Sequence, residues 1–231
     1  NSYFSKVSEI AHSLNFVPVH GVLMDLGLSS LQLDFEKRGF SFSDNDILDM
    51  RFGLNNELTA KKIINEYSEA EISNIIFQNS QDPNSRIIAK GICKKRPFNN
   101  SKELADLISS LRLKVRRKHH PATLTFQALR MEVNDEVEEL KQVLSDSFSL
   151  LGVGGRLAVI SYHSTEDKVV KSFINKGLKS CECPPLNFEC ACNIEPILKL
   201  VNKKPIKPTE EEIYQNSRSR SAKLRVIERI K

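Results

Sequence analysis

A chain of 231 residues with 40% hydrophobic and 27% charged residues has globular composition and ample core, which excludes disorder and allows one or two domains. Its net charge of +5 and pI near 8.9 favour a polyanionic partner only where the cations cluster. No apolar run approaches the roughly 18 residues that span a bilayer, and an odd count of five cysteines without a signal peptide fits a reducing, intracellular setting. The chain opens at Asn1 rather than Met and reads as a fragment.

The first predicted element is a short strand, Val22 to Met24, bounded upstream by Pro18 and read as fully buried. It ends in Asp25-Leu26-Gly27-Leu28-Ser29-Ser30, a carboxylate, a glycine and two hydroxyls together. In open α/β sheets ligands bind at the carboxyl ends of strands, so chemistry is expected there; an ordinary Gly/Ser turn is the competing reading. A long loop follows, holding Arg38-Gly39-Phe40-Ser41-Phe42 and Leu48-Asp49-Met50-Arg51; such loops are usually functional. From Thr59 the pattern is helical. Ser68-x-x-Glu71 and Asn100-x-x-Glu103 form capping boxes, and Pro83 and Pro97 break an all-helical subdomain over residues 58–118.

Val133, Val137, Leu140, Leu144, Phe148 and Leu151 form one apolar stripe of a longer helix, which Gly152, Gly154 and Gly155 are expected to stop. A second buried strand, Leu157 to Ile160, leads into Ser161-Tyr162-His163-Ser164, with Ser164 the expected cap of the next helix. Cys181, Cys183, Cys190 and Cys192 make a C-x-C-x6-C-x-C group. That spacing is tighter than the usual zinc pattern, so no metal is assigned and a cysteine-rich loop is preferred. Short strands at Ile197–Val201 and Leu224–Ile227 flank a helix capped by Thr209-x-x-Glu212. The order of elements predicts an α/β sheet carrying an inserted helical lobe.

If the two principal strands are neighbours, Asp25 to Ser30 and Ser161 to Ser164 line one rim of the sheet. His163 reads either as part of that rim or as a histidine satisfied by a local hydrogen bond. A serine hydrolase is a poor fit, because no G-x-S-x-G elbow exists, and neither a P-loop nor G-x-G-x-x-G is found. The basic groups Lys114 to His120, Arg218 to Arg225 and Lys94-Lys95-Arg96 offer a phosphate-binding surface, against the alternative of solvated faces.

These blocks together resemble the small-subunit ribosomal RNA methyltransferase H family (RsmH, also called MraW). The matching segments are Asp25 to Asp34, Arg38 to Phe42, Leu48 to Arg51, His120 to Arg130, Val133-Asn134, Gly154 to Leu157, Ser161 to Ser164 with Glu166-Asp167, and Arg218 to Arg225. They run in family order over essentially the whole chain.

The resemblance implies an S-adenosylmethionine-dependent enzyme that methylates the exocyclic N4 of a cytidine in 16S rRNA at the decoding centre. It also implies a cytoplasmic protein without membrane association, acting on the small ribosomal subunit, with the oligomeric state left open. The implied fold is α/β: a class I (Rossmann-like) methyltransferase sheet, missing its first strands, with an inserted all-helical subdomain. The implied boundaries are a first methyltransferase segment at 1–55, the helical substrate-recognition insertion at 56–120, and a second methyltransferase segment at 121–231.

Phe4, Asp25 and Gln32 match the family's cofactor contacts. Asp25, Ser29, Ser30 and His163 are the catalytic candidates, as acceptors for the cytosine amine or its proton. Arg116, Arg117, Lys118, His120, Arg130, Arg218 and Arg220 are the RNA-binding candidates. The family's opening H-x-P-V-L segment, its G-G-H-S loop and its acid at the end of the second strand have no counterpart in this sequence. The fragment alone is therefore expected to be inactive. Tyr162 stands where the family usually has Phe. The competing reading is a non-catalytic RNA-binding or ribosome-assembly protein. A DNA cytosine-N4 methyltransferase lacks support, because Leu26-Gly27 stands in place of the expected Pro-Pro-Tyr.

Overall fold

A computed structural model describes residues 4–27, 38–41, 45–53, 56–111, 113, 120–181, 192 and 194–231. The chain divides into two units: Asn1–Gly27 with Val137–Lys231, and Leu28–Glu136.

The first unit is built on a four-stranded mixed sheet. Its strands are β1 (Val19–Asp25), β2 (Leu151–Ser161), β3 (Leu198–Leu200) and β4 (Lys223–Arg229), in the order β1-β2-β4-β3. β1 and β2 are parallel, Leu23 facing Ala158 and Asp25 facing Ile160. β4 runs antiparallel to both its neighbours. Helices α7 (Glu136–Leu150) and α8 (Ser164–Gly177) bury Leu140, Val143, Leu144, Phe148, Val170 and Ile174 with Met24, Leu157, Val159 and Ile227 from the sheet. A 3₁₀ turn at Phe4–Lys6, α1 (Val7–Ser13), α9 (Glu210–Gln215) and a second 3₁₀ turn at Ser217–Ser221 complete the unit.

Three sequence expectations change here. β1 is not fully buried: Met24 is buried, but Leu23 is 68% exposed, because among the described residues β1 is an edge strand paired only with β2. The helix read as running unbroken from Val133 is two helices, parted at Asn134-Asp135, where Asp135 adopts φ 49°. The glycines do not stop α7. The chain passes from Leu150 into β2 at Leu151, and Arg229 Nη1 donates to the Ser149 and Leu151 carbonyls while its guanidinium lies over the Phe148 ring. Gly152 to Gly155 instead form an irregularity in β2, where the pairing steps from Val19–Leu151 to Gly21–Arg156. A Cβ on Gly155 would sit 2.8 Å from the Gly152 carbonyl oxygen, and Gly154 has φ +84°, so this turn requires glycine.

The second unit is helical: α2 (Ala60–Glu66), α3 (Glu69–Ser80), α4 (Ser85–Lys95), α5 (Ser101–Ser110) and α6 (Thr123–Val133). Thr59 caps α2, accepting from the Lys62 amide. Ser68 and Glu71 form the capping box of α3. At α5, Asn100 accepts from the Glu103 amide, while the Glu103 carboxylate reaches one residue further back to the Asn99 amide. The core holds Ile63, Ile64, Ile72, Ile76, Ile88, Ile92, Leu104 and Ile108 together with Phe126 and Leu129 of α6. Because α6 buries its apolar face here, the unit ends at Glu136 rather than near the 120/121 boundary read from sequence.

Candidate functional site

Parallel pairing of β1 and β2 brings their carboxyl ends together. Asp25 is the last residue of β1, and the ladder continues one step beyond it through the Leu26 amide and the Ile160 carbonyl, 3.1 Å apart. Gly27 follows with φ +97°, a backbone turn that favours glycine. Just past the end of β2, the Tyr162 hydroxyl donates to Asp25 Oδ1 at 2.8 Å, and among the described residues Asp25 Oδ2 accepts no hydrogen bond. The Asp25 side chain is exposed. Burial, followed by the hydrogen bond and charge of Asp25, pushes the Tyr162 phenol up to about 12. Tyr162 is therefore a donor held in place, and it presents one acidic oxygen of Asp25 at the sheet rim.

The cap of α8 lies one residue earlier than expected. His163, not Ser164, is the N-cap: its Nδ1 accepts from the Glu166 amide at 3.3 Å. Glu166 Oε2 accepts in return from the amides of Tyr162 and His163, at 2.8 and 3.2 Å. His163 Nε2 lies 3.0 Å from Glu166 Oε1, too poorly directed for a hydrogen bond. With one ring nitrogen in the cap and the other against a carboxylate, His163 acts through the local contact that was its alternative reading. Its neighbour Asp167 is buried. Burial would push its carboxyl up, but Arg225 Nε at 2.8 Å and Lys223 Nζ at 3.4 Å outweigh it and hold the group below the ordinary carboxylate value.

Phe4 lies in the first 3₁₀ turn with its ring half-exposed. Arg218 and Arg220 are exposed on the second 3₁₀ turn, before β4. Ser29, Ser30 and Gln32 lie outside the described residues, as do Arg116, Arg117, Lys118, Cys183 and Cys190. Among the described residues no helix is long and apolar enough to cross a membrane.

In the helical unit, His120 is exposed, its Nδ1 accepting from the Ala122 amide and its Nε2 lying 3.4 Å from Ser109 Oγ. Arg130 is turned inward. Its Nε and Nη2 fork onto both carboxylate oxygens of Glu136, at 2.6 and 2.8 Å, which leaves it poorly placed to neutralise a phosphate.

The Leu48 to Arg51 motif also has a structural role. Arg51 grips Asp49 through Nε at 2.6 Å and Nη2 at 2.9 Å, and that guanidinium holds the Asp49 carboxyl below its ordinary value against burial. Met50 sits in the left-handed region at φ 60°, wholly buried. Asn134 Nδ2 donates to the Met50 carbonyl at 2.7 Å, and Asn134 Oδ1 accepts from the Phe52 amide at 2.7 Å. The Val133-Asn134 block thus clasps the 48–52 segment to the end of α6. Sequence reasoning missed the Tyr162 contact to Asp25, although a phenol and a carboxylate at two neighbouring strand ends were its signal.

An α/β unit with a mixed sheet and a polar rim at its parallel strand ends has the organisation of a methyltransferase fold. Residues 1–230 match the MraW methylase family, and the chain belongs to it. It is 49% identical over 230 residues to the ribosomal RNA small subunit methyltransferase H of Dehalococcoides mccartyi, covering 100% of this chain and 66% of that protein. It is 45% identical to the protein of the same name from Caldicellulosiruptor saccharolyticus, covering 100% of this chain and 76% of the relative. The Finegoldia magna protein of that name is 42% identical, over 98% of this chain and 75% of its own length. The chain thus spans 66% to 76% of the length of these curated relatives.

Proposed function

We propose that the protein to which this chain belongs is an S-adenosylmethionine-dependent methyltransferase of 16S rRNA, acting in the cytoplasm on N4 of a decoding-centre cytidine. The observation that carries this reading is the family match over residues 1–230 to relatives named as small-subunit rRNA methyltransferases. The exposed acid at the end of a parallel strand supports it. Asp25 and Phe4 are the described residues that would hold the cofactor: an exposed carboxylate with one oxygen unengaged suits its ammonium or amine donors, and a half-exposed ring suits its adenine. When bound, S-adenosylmethionine supplies an electrophilic methyl group.

The chain's own work is positioning. A cytosine amine is a poor nucleophile because its lone pair is delocalised into the ring. An acceptor that takes a hydrogen bond from this amine concentrates electron density on nitrogen and can receive the proton released as the N–C bond forms. Within Asp25 to Ser30, the proposed acceptor is Asp25, and the hydrogen bond from Tyr162 supports this by holding one of its oxygens. Arg218, Arg220 and His120 are exposed and suited to RNA contact. The helical unit is the proposed substrate-recognition lobe, and further strands of the parent protein would pair with the open edge of β1.

The test joins the chain to the N-terminal part of the Dehalococcoides mccartyi relative, then seeks N4-methylcytidine in small-subunit RNA by mass spectrometry. The expected result is methylation by the joined protein and none by the 231-residue chain alone. Methylation of DNA only, or of cytosine C5, overturns the assignment. RNA binding without turnover by the joined protein would favour the non-catalytic reading, to which the basic clusters are equally suited.

A further inference from the structure

The helical unit carries a groove of about 800 Å³ between α3 and α4. Phe77 lies along it with half its surface, 50%, open to solvent, an unusual exposure for a ring on a helix whose other large apolar residues are buried. The groove is also lined by Ser73, whose hydroxyl donates to that of buried Ser85 at 3.5 Å, and by the Asn74 amide, the Glu69 carboxylate and the Arg86 guanidinium. These donors and acceptors surround a π-face, as the polar edge of a planar heterocycle requires.

Arg86 also begins a second feature. Arg86, Lys90 and Lys94 recur every four residues along α4, on the side opposite buried Ile88 and Ile92. All three are exposed, and among the described residues none takes part in an ion pair or side-chain hydrogen bond. No Asp or Glu occurs from Pro83 to Lys102, so the stripe is not neutralised along its own segment. The one acid lining the groove, Glu69, stands at the start of α3, about two turns before Phe77. Four residues of α-helix rise about 6 Å, so the stripe is an evenly spaced row of cations leading away from the groove.

We propose that this groove receives an unpaired base of an RNA strand, stacked on Phe77, while the Arg86, Lys90 and Lys94 row holds the phosphates beside it. The inference rests on the RNA-directed function proposed above and adds where single-stranded RNA is gripped. An acidic peptide would engage the cations but has no use for an exposed ring framed by amide and hydroxyl groups; RNA uses both.

The experiment measures binding of the whole chain by fluorescence anisotropy. The probes are a labelled single-stranded oligocytidylate of about twelve nucleotides and, separately, an oligoglutamate peptide, each over a range of salt. The triple variant Arg86→Gln, Lys90→Gln, Lys94→Gln should bind RNA about tenfold more weakly, with the salt slope reduced by about 2, the loss expected for three phosphate contacts on a single strand. Phe77→Ala should weaken RNA binding about fivefold or more at every salt concentration with the slope unchanged, and Phe77→Tyr should restore it. Because all four side chains are exposed, melting temperatures should stay at the parent value.

Unaltered RNA binding by both the triple variant and Phe77→Ala overturns this inference while leaving the methyltransferase reading standing. The same holds if oligoglutamate binds as tightly as RNA with the same dependence on Phe77, which would make the groove a protein-docking surface. Failure of the unaltered chain to bind RNA overturns the inference as well, and the methylation assay on the joined protein then decides the broader reading separately.

Discussion

The two units close their cores differently. In the helical unit, Leu48, Met50, Ile63, Ile64, Ile72, Ile76, Ile88, Ile92, Leu104, Ile108 and Leu129 are all at 0% exposure. Among the described apolar residues of the sheet unit only Leu144 reaches that value, and Leu23 on β1 stands open. A bundle of short, capped helices surrounds its core on all sides. A sheet with an open edge strand does not, and that open margin is where Asp25 and Tyr162 stand. Enclosure provides stability on one side of the comparison, and an accessible rim leaves room for the proposed chemistry on the other.

The sharpest test compares equal truncations. Leu104→Ala, deep in the helical unit, should cost about 4 kcal/mol, because the enclosed site has little freedom to collapse. Leu140→Ala on α7, with 5% exposure, should cost about 2 to 3 kcal/mol. Hydrogen exchange reads each unit separately, the first change appearing in α2 to α5 amides and the second in β2 and β4. Equal losses would remove the distinction between the two cores.

The next largest effect falls on the sheet unit. Asp167→Asn leaves Arg225 and Lys223 facing a neutral group and should cost about 3 kcal/mol near neutral pH. The folded-state value of Asp167 is lowered, so its stabilisation is present above the ordinary carboxylate range and is lost as pH falls through the lowered value. Parent and variant should therefore converge in acid, as followed by denaturant midpoints from neutral pH downward. A gap that stays constant with pH would mean that the carboxylate charge is not what stabilises β4 against α8.

Much of the helical unit was legible because its signals are local. Ser68 with Glu71 and Asn100 with Glu103 act within four residues of themselves, and there, as at Thr209 with Glu212 in the sheet unit, the cap side chain accepts from the third helical amide as expected. The misread elements depend on distant partners. Nothing near Leu150 announces that Arg229 will take up the end of α7. Nothing near Met50 announces that Asn134 will hold its carbonyl. The burial of β1 was overestimated because an apolar run reports that a strand can be buried, not whether a neighbour covers it. At the rim, Asp25 stands out by its position, while Tyr162 shows in the sequence only as a departure from the family's usual Phe, because its hydroxyl has meaning only once β1 and β2 pair.

Asn134→Ala breaks the clasp on the 48–52 segment. It removes the bonds to the Met50 carbonyl and the Phe52 amide, together with a third to the Arg130 carbonyl, and leaves Met50 in the left-handed region without its lock. The expected loss is about 2 kcal/mol, with new tryptic cleavage at Arg51. Unchanged protection of Arg51 would show that the Arg51 grip on Asp49 and the Arg38 contact to the Arg51 carbonyl hold the segment without Asn134.

The smallest effect belongs to the rim, and it separates stability from positioning. Tyr162→Phe removes one hydrogen bond to an exposed acid and should cost about 1 kcal/mol or less. The phenol has its folded value raised to about 12. Its contribution is therefore complete below the ordinary tyrosine value near 10 and is lost as pH rises from there through 12. In the parent, ultraviolet titration should show Tyr162 ionising late. Asp25→Asn should bring that step earlier by removing the charge, although burial, the larger cause, will keep it above the ordinary value. In the joined enzyme, Tyr162→Phe should lower methyl transfer severalfold with RNA affinity unchanged, because freeing Asp25 disorders an acceptor without touching a cation. A Tyr162→Phe enzyme with full turnover and a normal pH profile would reduce this contact to a minor strut between two strand ends.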